Sequence, residues 1–296
     1  MSASGTGRKI GIAGSGRLAQ AMGRLLKKSG QPVTVVAGRR IEAAQIAARF
    51  IGAPLCVGDI AAMVKNCNDV LIAVSDDALV EVASVLALAE LKGARVLHTS
   101  GVEGLEILRP LLKNGNDCAC LHPLQTVPTP DEGLQALPGA TFALTGEGPA
   151  AVWAEEIVGL LGGRTLRVKE EGKALYHAGA VMAANYLLAL LDAGLFLMNS
   201  AGVDAREARK ALAPLLRQSL ENGLKNGPGP ALTGPLRRGD LRSVQKHLAA
   251  MESLPKSIRR LYCAAGLQAL DLARRNGLAS DAAEKIESVL DRTLHD

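Results

Sequence analysis

A glycine-rich turn near the start of the chain constrains the fold more than any other feature. An apolar segment, Lys9–Ala13, leads directly into this turn, and a helical pattern follows it. Gly14 permits a tight turn, Gly16 lets the backbone approach a pyrophosphate, and Ala19 lets the helix pack closely on the strand. Amide groups at the start of a helix attract phosphate. The spacing predicts a dinucleotide site formed by Gly14, Ser15, Gly16, Arg17, Leu18 and Ala19.

Short β-type segments alternate with helical patterns in residues 1–168. Seven segments are predicted as strands: Lys9–Ala13, Val33–Ala37, Val70–Val74, Arg95–Thr99, Cys118–Leu121, Thr141–Leu144 and Thr165–Val168. Helices are predicted between them, among others at Leu18–Ser29 and Ile41–Ile51. This alternation is typical of βαβ units, so we expect an α/β Rossmann domain with a mainly parallel sheet.

From residue 169 to 296 the apolar residues recur only at helical spacing. Five helices are predicted here: Lys173–Ser200, Asp204–Asn226, Leu241–Met251, Lys256–Arg275 and Ser280–Leu294. We therefore expect an all-α C-terminal domain that serves substrate binding or dimerisation.

The end of the second predicted strand indicates which dinucleotide is preferred. Gly38 is followed by Arg39 and Arg40, and this position carries no carboxylate. A carboxylate here would bind the ribose 2′-hydroxyl, whereas a pair of guanidinium groups suits a 2′-phosphate. We therefore predict NADP(H) rather than NAD. The alternative is two solvated arginines, although cations are disfavoured at a helix start.

Later strand ends should line the nicotinamide side of the same crevice. In an open α/β sheet the ligand lies beyond the carboxyl ends of the strands. The residues expected there follow two strands: Val74, Ser75, Asp76 and Asp77, and Thr99, Ser100, Gly101 and Val102. Asp76 and its neighbour Asp77 are equally suited to be helix N-caps.

Four polar residues are candidates for the chemistry. His122 ends a predicted strand and begins the proline-rich loop His122–Pro138. Lys173, His177 and Asn185 fall within an arc of about 120° on the first long helix of the C-terminal half. Polar groups on so apolar a helix need partners or a wet cleft. They predict a substrate-facing stripe, with an interhelical hydrogen-bond network as the alternative. His98 lies in an apolar strand and is expected to be a core histidine.

A second loop, Asn226–Asp240, combines proline, glycine and basic residues. Ordered loops of this length are often functional, and a plain surface excursion is the alternative. Thr233, Arg237 and Arg238 are predicted to bind an anionic group of the substrate, or the cofactor of a neighbouring subunit. Asp240 is expected to be the N-cap of the next helix.

The composition argues against several classes of protein. The net charge is +5 and aromatic residues make up 2% of the chain. We expect no nucleic-acid partner, because single-stranded nucleic acid is bound by stacking its bases on aromatic rings. The five cysteines lack the paired spacing of a zinc site and the first ten residues lead into no apolar segment. We therefore expect no metal, no signal peptide and a cytoplasmic location.

One stretch, Ala178–Met198, approaches the length of a membrane span. Asn185 and Asp192 interrupt it, and polar groups are costly at mid-span depth. We therefore expect a buried helix of a soluble domain and no membrane contact.

Several motifs together resemble one family. They are GIAGSGRLAQAMG from Gly11, the GRR at Gly38, LHPLQT from Leu121, KALYHAGAVMAAN from Lys173, and ALTGPLRRGD from Ala231 with His247 after it. They resemble the Rossmann-like proteins that carry a C-terminal helical domain of unknown function. That family is similar in layout to pyrroline-5-carboxylate reductase, deazaflavin-dependent NADP reductases, and 6-phosphogluconate and hydroxyacid dehydrogenases.

The resemblance implies an NADP-dependent oxidoreductase that is dimeric through its helical domain, and it implies no particular substrate. The catalytic lysine of the hydroxyacid dehydrogenases would stand four residues before Asn185, where this chain has Val181. We expect hydride transfer to a C=O or C=N group, with His177 or His122 as proton donor. The alternatives are a regulatory protein that binds NADP(H) without catalysis, and a metal site built from His122, His177 and His247.

Overall fold

The computed structural model describes residues 7–295. Residues 1–6, part of the segment considered above for a signal peptide, and residue 296 lie outside the described residues. The chain divides into two compact units, with the division after Asn185.

The first unit is built on one mixed sheet. Its strands are β1 (Ile10–Ala13), β2 (Val33–Ala37), β3 (Leu55–Val57), β4 (Asp69–Ile72), β5 (Arg95–His98), β6 (Asp117–Pro123), β7 (Thr141–Thr145) and β8 (Arg164–Arg167). They lie in the order β3-β2-β1-β4-β5-β6-β7-β8. The first six strands are parallel, β7 pairs antiparallel with β6, and β8 pairs parallel with β7. The carboxyl ends of β1, β2, β4, β5 and β6 therefore share one edge.

Helices cover both faces of this sheet. They are α1 (Arg17–Lys28), α2 (Ile41–Ile51), α3 (Ile60–Met63), α4 (Asp76–Leu88), α5 (Arg109–Lys113), α6 (Pro130–Ala136) and α7 (Gly148–Leu160). One apolar cluster packs α1, α2 and α7 against the sheet, and a second packs α3, α4 and α5 against the other face. Because the central strands are covered on both faces, their residues form continuous apolar runs, as in other parallel sheets.

The remaining elements are helical. They are α8 (Lys173–Ser200), α9 (Ala205–Asn226), α10 (Pro228–Ala231), α11 (Pro235–Arg238), α12 (Leu241–Ala250), α13 (Lys256–Arg275) and α14 (Ser280–His295). Helix α8 runs across the division between the units. Within the second unit, α12, α13 and α14 enclose a small core around Leu270, Ile286 and Leu290.

The predicted fold class is confirmed: a mainly parallel α/β sheet precedes an all-helical region. A strand lies at each of the seven predicted positions, and the five predicted C-terminal helices are present. Strand β3 was missed because it has three residues, none of them buried. The last strand ends at Arg167 and only helices follow it. The predicted domain boundary at residue 168 remains a prediction, because the two compact units divide after Asn185.

The expectation of a buried helix at Ala178–Met198 is wrong for the single chain. Of all described helices, only the one at Glu170–Ser200 is long and apolar enough to cross a membrane, judged by length and composition alone. Its most apolar window has a mean hydropathy of 1.8 and is 0% buried. Leu188 and Tyr186 on α8 are 65% and 57% exposed. A helix that is apolar on all sides is expected to be shielded from water. The pattern does not show whether other helices, a second protein chain or lipid shield it.

Candidate functional site

The turn between β1 and α1 has the geometry that its glycines predict. Gly14 has a φ of +130°, and a Cβ built there would overlap the carbonyl oxygen of Ala73. Gly16 is the N-cap of α1 in an extended conformation, and a Cβ there would meet nothing within 4 Å. Ala19 is fully buried in the contact between helix and sheet. The backbone amides at the start of α1 therefore face open space.

This open space is a cavity of about 470 Å³ at the carboxyl ends of β1, β2 and β4. The predicted cofactor residues among its lining are Gly14, Ser15, Gly16, Arg17, Leu18, Gly38, Arg39, Val74 and Ser75. Arg39 and Arg40 are exposed, and Arg40 is the N-cap of α2 without lining the cavity. Arg17 donates a hydrogen bond of 2.8 Å to the carbonyl of Pro128, so it ties α1 to the proline-rich loop.

Two further cavities continue from the first along the same edge. The second, of about 240 Å³, shares Leu18 and Val74 with the first and adds Asp76, Ser100 and Gly101. The third, of about 490 Å³, shares His122 and His177 with the second and extends along α8 to Asn185. His122 and His177 therefore connect the second cavity to the third. All these residues belong to the first unit, so one groove runs from the glycine-rich turn to Asn185.

Two histidines and a tyrosine meet in the middle of the groove. His122, at the end of β6, has its Nδ1 2.9 Å from the hydroxyl of Tyr176 on α8. Its ring also makes edge contacts with Tyr176 and with His177, at centroid distances of 5.7 and 5.8 Å. His177 Nδ1 is buried and has no hydrogen-bond partner among the described residues.

Gly101 is the floor beneath these rings. A Cβ at this position would overlap His177 Nδ1 and lie 2.9 Å from His122 Nε2. Any larger residue would push the two imidazoles apart. The close approach of both rings therefore depends on the missing side chain of Gly101.

Burial and nearby positive charge keep this part of the site neutral. Burial, with His177 and Lys173 adding to it, lowers the pKa of His122 to about 4. Burial raises the pKa of Tyr176 to about 12. Near neutral pH the imidazole and the phenol are both uncharged, so they act as hydrogen-bonding groups. His98 is fully buried, as expected of a core histidine, and burial lowers its pKa to about 3.

Lys173 lies behind the groove rather than in it. The residue is 2% exposed, and its Nζ donates hydrogen bonds to the Ser100 carbonyl (3.2 Å) and to Cys120 Sγ (2.9 Å). Of the predicted stripe on α8, His177 and Asn185 line one cavity, and Lys173 does not line it. The catalytic roles of all four polar candidates remain predictions.

The remaining predicted residues lie in the second unit. Thr233 lines a separate cavity of about 430 Å³ with His247 and Tyr262, whose polar atoms are 2.8 Å apart. Arg237 and Arg238 form the last turn of α11. Asp240 caps α12 by accepting a hydrogen bond of 3.0 Å from the Ser243 amide, as predicted. In residues 7–295 no group of three or more histidine, cysteine, aspartate or glutamate side chains could hold a metal ion.

Some lining residues were not predicted. Gln125 lies in the groove, and Glu81 lies in its first cavity. At the start of α4 the N-cap is Ser75, with Asp76 and Asp77 in the first turn. Tyr176 was missed as well, although it stands beside His177 in a helix with few polar residues. Its partner His122 is 54 residues away, and no local pattern joins them.

Two family models match the chain. A Rossmann-like domain matches residues 4–123, and a domain of unknown function, DUF2520, matches residues 140–269. The chain therefore carries a Rossmann-like domain followed by a DUF2520 domain. The resemblance drawn from the sequence motifs is thereby confirmed. A search of curated proteins finds no match.

Solved structures share the fold of most of this chain at low sequence identity. Protein TM1727 from Thermotoga maritima is 22% identical with a TM-score of 0.69, covering 90% of this chain and 99% of its own. An imine reductase from Myxococcus stipitatus in complex with NADP+ is 16% identical with a TM-score of 0.63, covering 97% and 94%. A reductive aminase from Aspergillus terreus in complex with NADPH and ethyl-5-oxohexanoate is 19% identical with a TM-score of 0.58, covering 98% and 94%.

Proposed function

We propose that the protein is an NADP(H)-dependent oxidoreductase that transfers a hydride to or from a small C=O or C=N substrate. The observation that carries the proposal is the continuous groove from the glycine-rich turn to the His122, Tyr176 and His177 cluster. Structural neighbours that bind NADPH or NADP+ and reduce imines support it. NADPH, when bound, supplies the hydride.

The chain offers complementary groups for each part of this cofactor. The amides at Gly14–Gly16 and the start of α1 would hold the pyrophosphate. Arg39 and Arg40 would pair with the 2′-phosphate. The strand ends at Val74, Ser75, Asp76, Ser100 and Gly101 would line the nicotinamide side. The fit rests on the unfilled space over Gly16 and the exposed guanidinium groups beside it.

We assign proton donation to His177 and an orienting role to His122. Because the pKa of His122 is lowered to about 4, its imidazole is neutral near pH 7 and lacks the second proton that an imidazolium would donate. Tyr176 can donate to its Nδ1, which places the remaining proton on Nε2, beside Gly101 and the groove. Asn185 would orient the substrate at the far end of the groove. Thr233, Arg237 and Arg238 remain our prediction for binding an anionic group of the substrate.

The assembly in this proposal is a cytoplasmic homodimer. Large apolar side chains are exposed along α8 and α9: Leu175, Met182, Tyr186, Leu188, Leu190, Leu215, Leu220 and Leu224. Exposed apolar surface of this kind marks an interaction site, and obligate homodimers have extensive apolar interfaces. A second copy would cover α8 without placing it in lipid. The five free cysteines support a reducing compartment.

The function is tested first by titrating the protein with NADPH and NADH. We expect tighter binding of NADPH, and Arg39→Ala should weaken NADPH binding roughly 10- to 100-fold while changing NADH binding little. The control is Arg49→Ala, an exposed arginine at the other end of α2. A wild-type protein that binds no NADPH would refute the proposal. Binding without turnover of any imine, keto acid or deazaflavin would instead favour the regulatory alternative.

A further inference from the structure

Cys120 and Lys173 form a buried pair for which the proposed reaction has no use. Cys120 is fully buried on β6, Lys173 is the first residue of α8, and Sγ lies 2.9 Å from Nζ. Both atoms also contact the carbonyl oxygen of Ser100, at 3.1 and 3.2 Å. Among the described residues, Lys173 forms no ion pair with a carboxylate. The amine of Lys173, a potential nucleophile, is therefore in contact with the oxidisable sulfur of Cys120.

The chemistry of these two groups is complementary under oxidation. Peroxide oxidises a cysteine, through its thiolate, to a sulfenic acid, whose sulfur is attacked by nitrogen or sulfur nucleophiles. A neutral lysine amine is such a nucleophile. No second cysteine is needed, because the amine takes the place of a resolving thiol.

We propose that Cys120 and Lys173 form a reversible covalent cross-link when the protein meets a peroxide. The peroxide first transfers one oxygen atom to Sγ, which yields Cys120 sulfenic acid and water. After the ammonium of Lys173 has released one proton to solvent, its amine attacks Sγ, so that an S–N bond forms and the S–O bond breaks. The oxygen leaves as water with one proton from the amine and one already on the hydroxyl. The sulfur is oxidised by two electrons and the peroxide is reduced by two.

The cross-link would alter the candidate site through Ser100 and Gly101, although neither Cys120 nor Lys173 lines the groove. Ser100 and Gly101 lie between the pair and the groove, and the charge of Lys173 contributes to the low pKa of both His98 and His122. Losing that charge and pulling α8 towards β6 would alter the floor under His122 and His177. A loss of turnover on oxidation rests on the proposed function, whereas the cross-link itself does not.

The test is mass spectrometry of the full-length protein after exposure to hydrogen peroxide, digested without reductant. We expect the peptides of Cys120 and Lys173 to be joined, roughly 2 Da lighter than their sum, and to separate on treatment with dithiothreitol. The same two peptides joined through one bridging oxygen, formed with a second equivalent of peroxide, would also support the proposal. Trypsin should no longer cleave after Lys173 in the joined species.

Variants make the assignment specific. Cys120→Ala should abolish the joined species, and Cys118→Ala, which alters a buried cysteine on the same strand, should leave it unchanged. Lys173→Met should leave Cys120 as sulfenic acid or its higher oxides. If Cys56, which is partly exposed, becomes oxidised while wild-type Cys120 and Lys173 stay unlinked, the proposal is overturned. The wild-type measurement stands even if a variant fails to fold, and it needs neither NADPH nor substrate.

Discussion

At the scale of single residues, the site separates the two histidines by their surroundings. His122 is held by Tyr176 and kept neutral by burial, whereas His177 presents a buried Nδ1 that has no hydrogen-bond partner within residues 7–295. The sequence predicted both as candidates and could not rank them. The ranking comes from contacts between β6 and α8, which only the folded chain makes.

Replacing His177 tests the ranking. His177→Ala should lower turnover roughly 10²- to 10⁴-fold, as loss of a general acid does, and leave NADPH affinity near that of the wild type. Steady-state kinetics and a cofactor titration measure the two effects separately. His295→Ala, at an exposed histidine of α14, is the control. An equal loss of NADPH affinity would assign His177 to cofactor binding.

The low pKa values of His98 and His122 predict how stability depends on pH. Below about pH 6.5 the unfolded chain protonates these histidines, while the folded chain does not until about pH 4 for His122 and about pH 3 for His98. The folded state therefore binds fewer protons in this window, and the free energy of unfolding falls as the pH drops from 6.5 towards 4. Urea unfolding from pH 7 to pH 4 measures this decrease.

His122→Gln should remove up to about 3 kcal/mol of that decrease, since glutamine does not titrate. His295→Gln should retain the wild-type dependence because its side chain is exposed. A wild-type free energy of unfolding that stays constant between pH 7 and pH 4 would contradict the neutral, buried state of His122.

At the scale of elements, we expect the two glycines of the β1–α1 turn to have different roles: Gly14 is needed for folding and Gly16 for binding the cofactor. Gly14→Ala places a non-glycine residue at a positive φ, and its Cβ overlaps the carbonyl oxygen of Ala73. We expect this substitution to destabilise the protein by roughly 1–3 kcal/mol. A Cβ at Gly16 has no atom of the described residues within 4 Å, so the melting temperature of Gly16→Ala should stay close to the wild-type value. Its NADPH affinity should fall steeply, because the new methyl group occupies the path of the pyrophosphate.

Differential scanning fluorimetry with and without NADPH measures both effects. Gly30→Ala, which also has a positive φ but no neighbour within 4 Å, is the control for backbone strain alone. If Gly16→Ala keeps full NADPH affinity, the cofactor does not lie over this turn.

The sequence predicted the ends of some elements correctly and missed other elements altogether. Helices α2, α8 and α13 begin and end at the predicted residues, because their periodicity and end signals are local. Strand β3 is short and unburied, so it carries no apolar pattern. The antiparallel pairing of β7 with β6 was not predicted either, since direction depends on the path of the chain between strands.

At the scale of the whole molecule, the exposed apolar surface of helix α8 needs a partner that shields it from water. Leu188→Glu should convert the expected homodimer into a monomer, because a carboxylate in an apolar interface is left without a partner. Leu88→Glu, at a leucine of α4 that is 84% exposed, should leave the mass unchanged. Light scattering after size-exclusion chromatography measures both. A wild-type protein that is monomeric at high concentration would refute the dimer.

The sequence by itself determined the Rossmann-like half, the helical half and the chemistry of the turn at Gly14–Gly16. These features follow from periodicity and from backbone freedom, which act over a few neighbouring residues. Only the tertiary structure decided that Tyr176 supports His122, that Lys173 lies behind Ser100, and that Cys120 is its partner. The residues of the His122–Tyr176 and Cys120–Lys173 pairs are 54 and 53 positions apart, and such distances are closed only when the strands and α8 pack together.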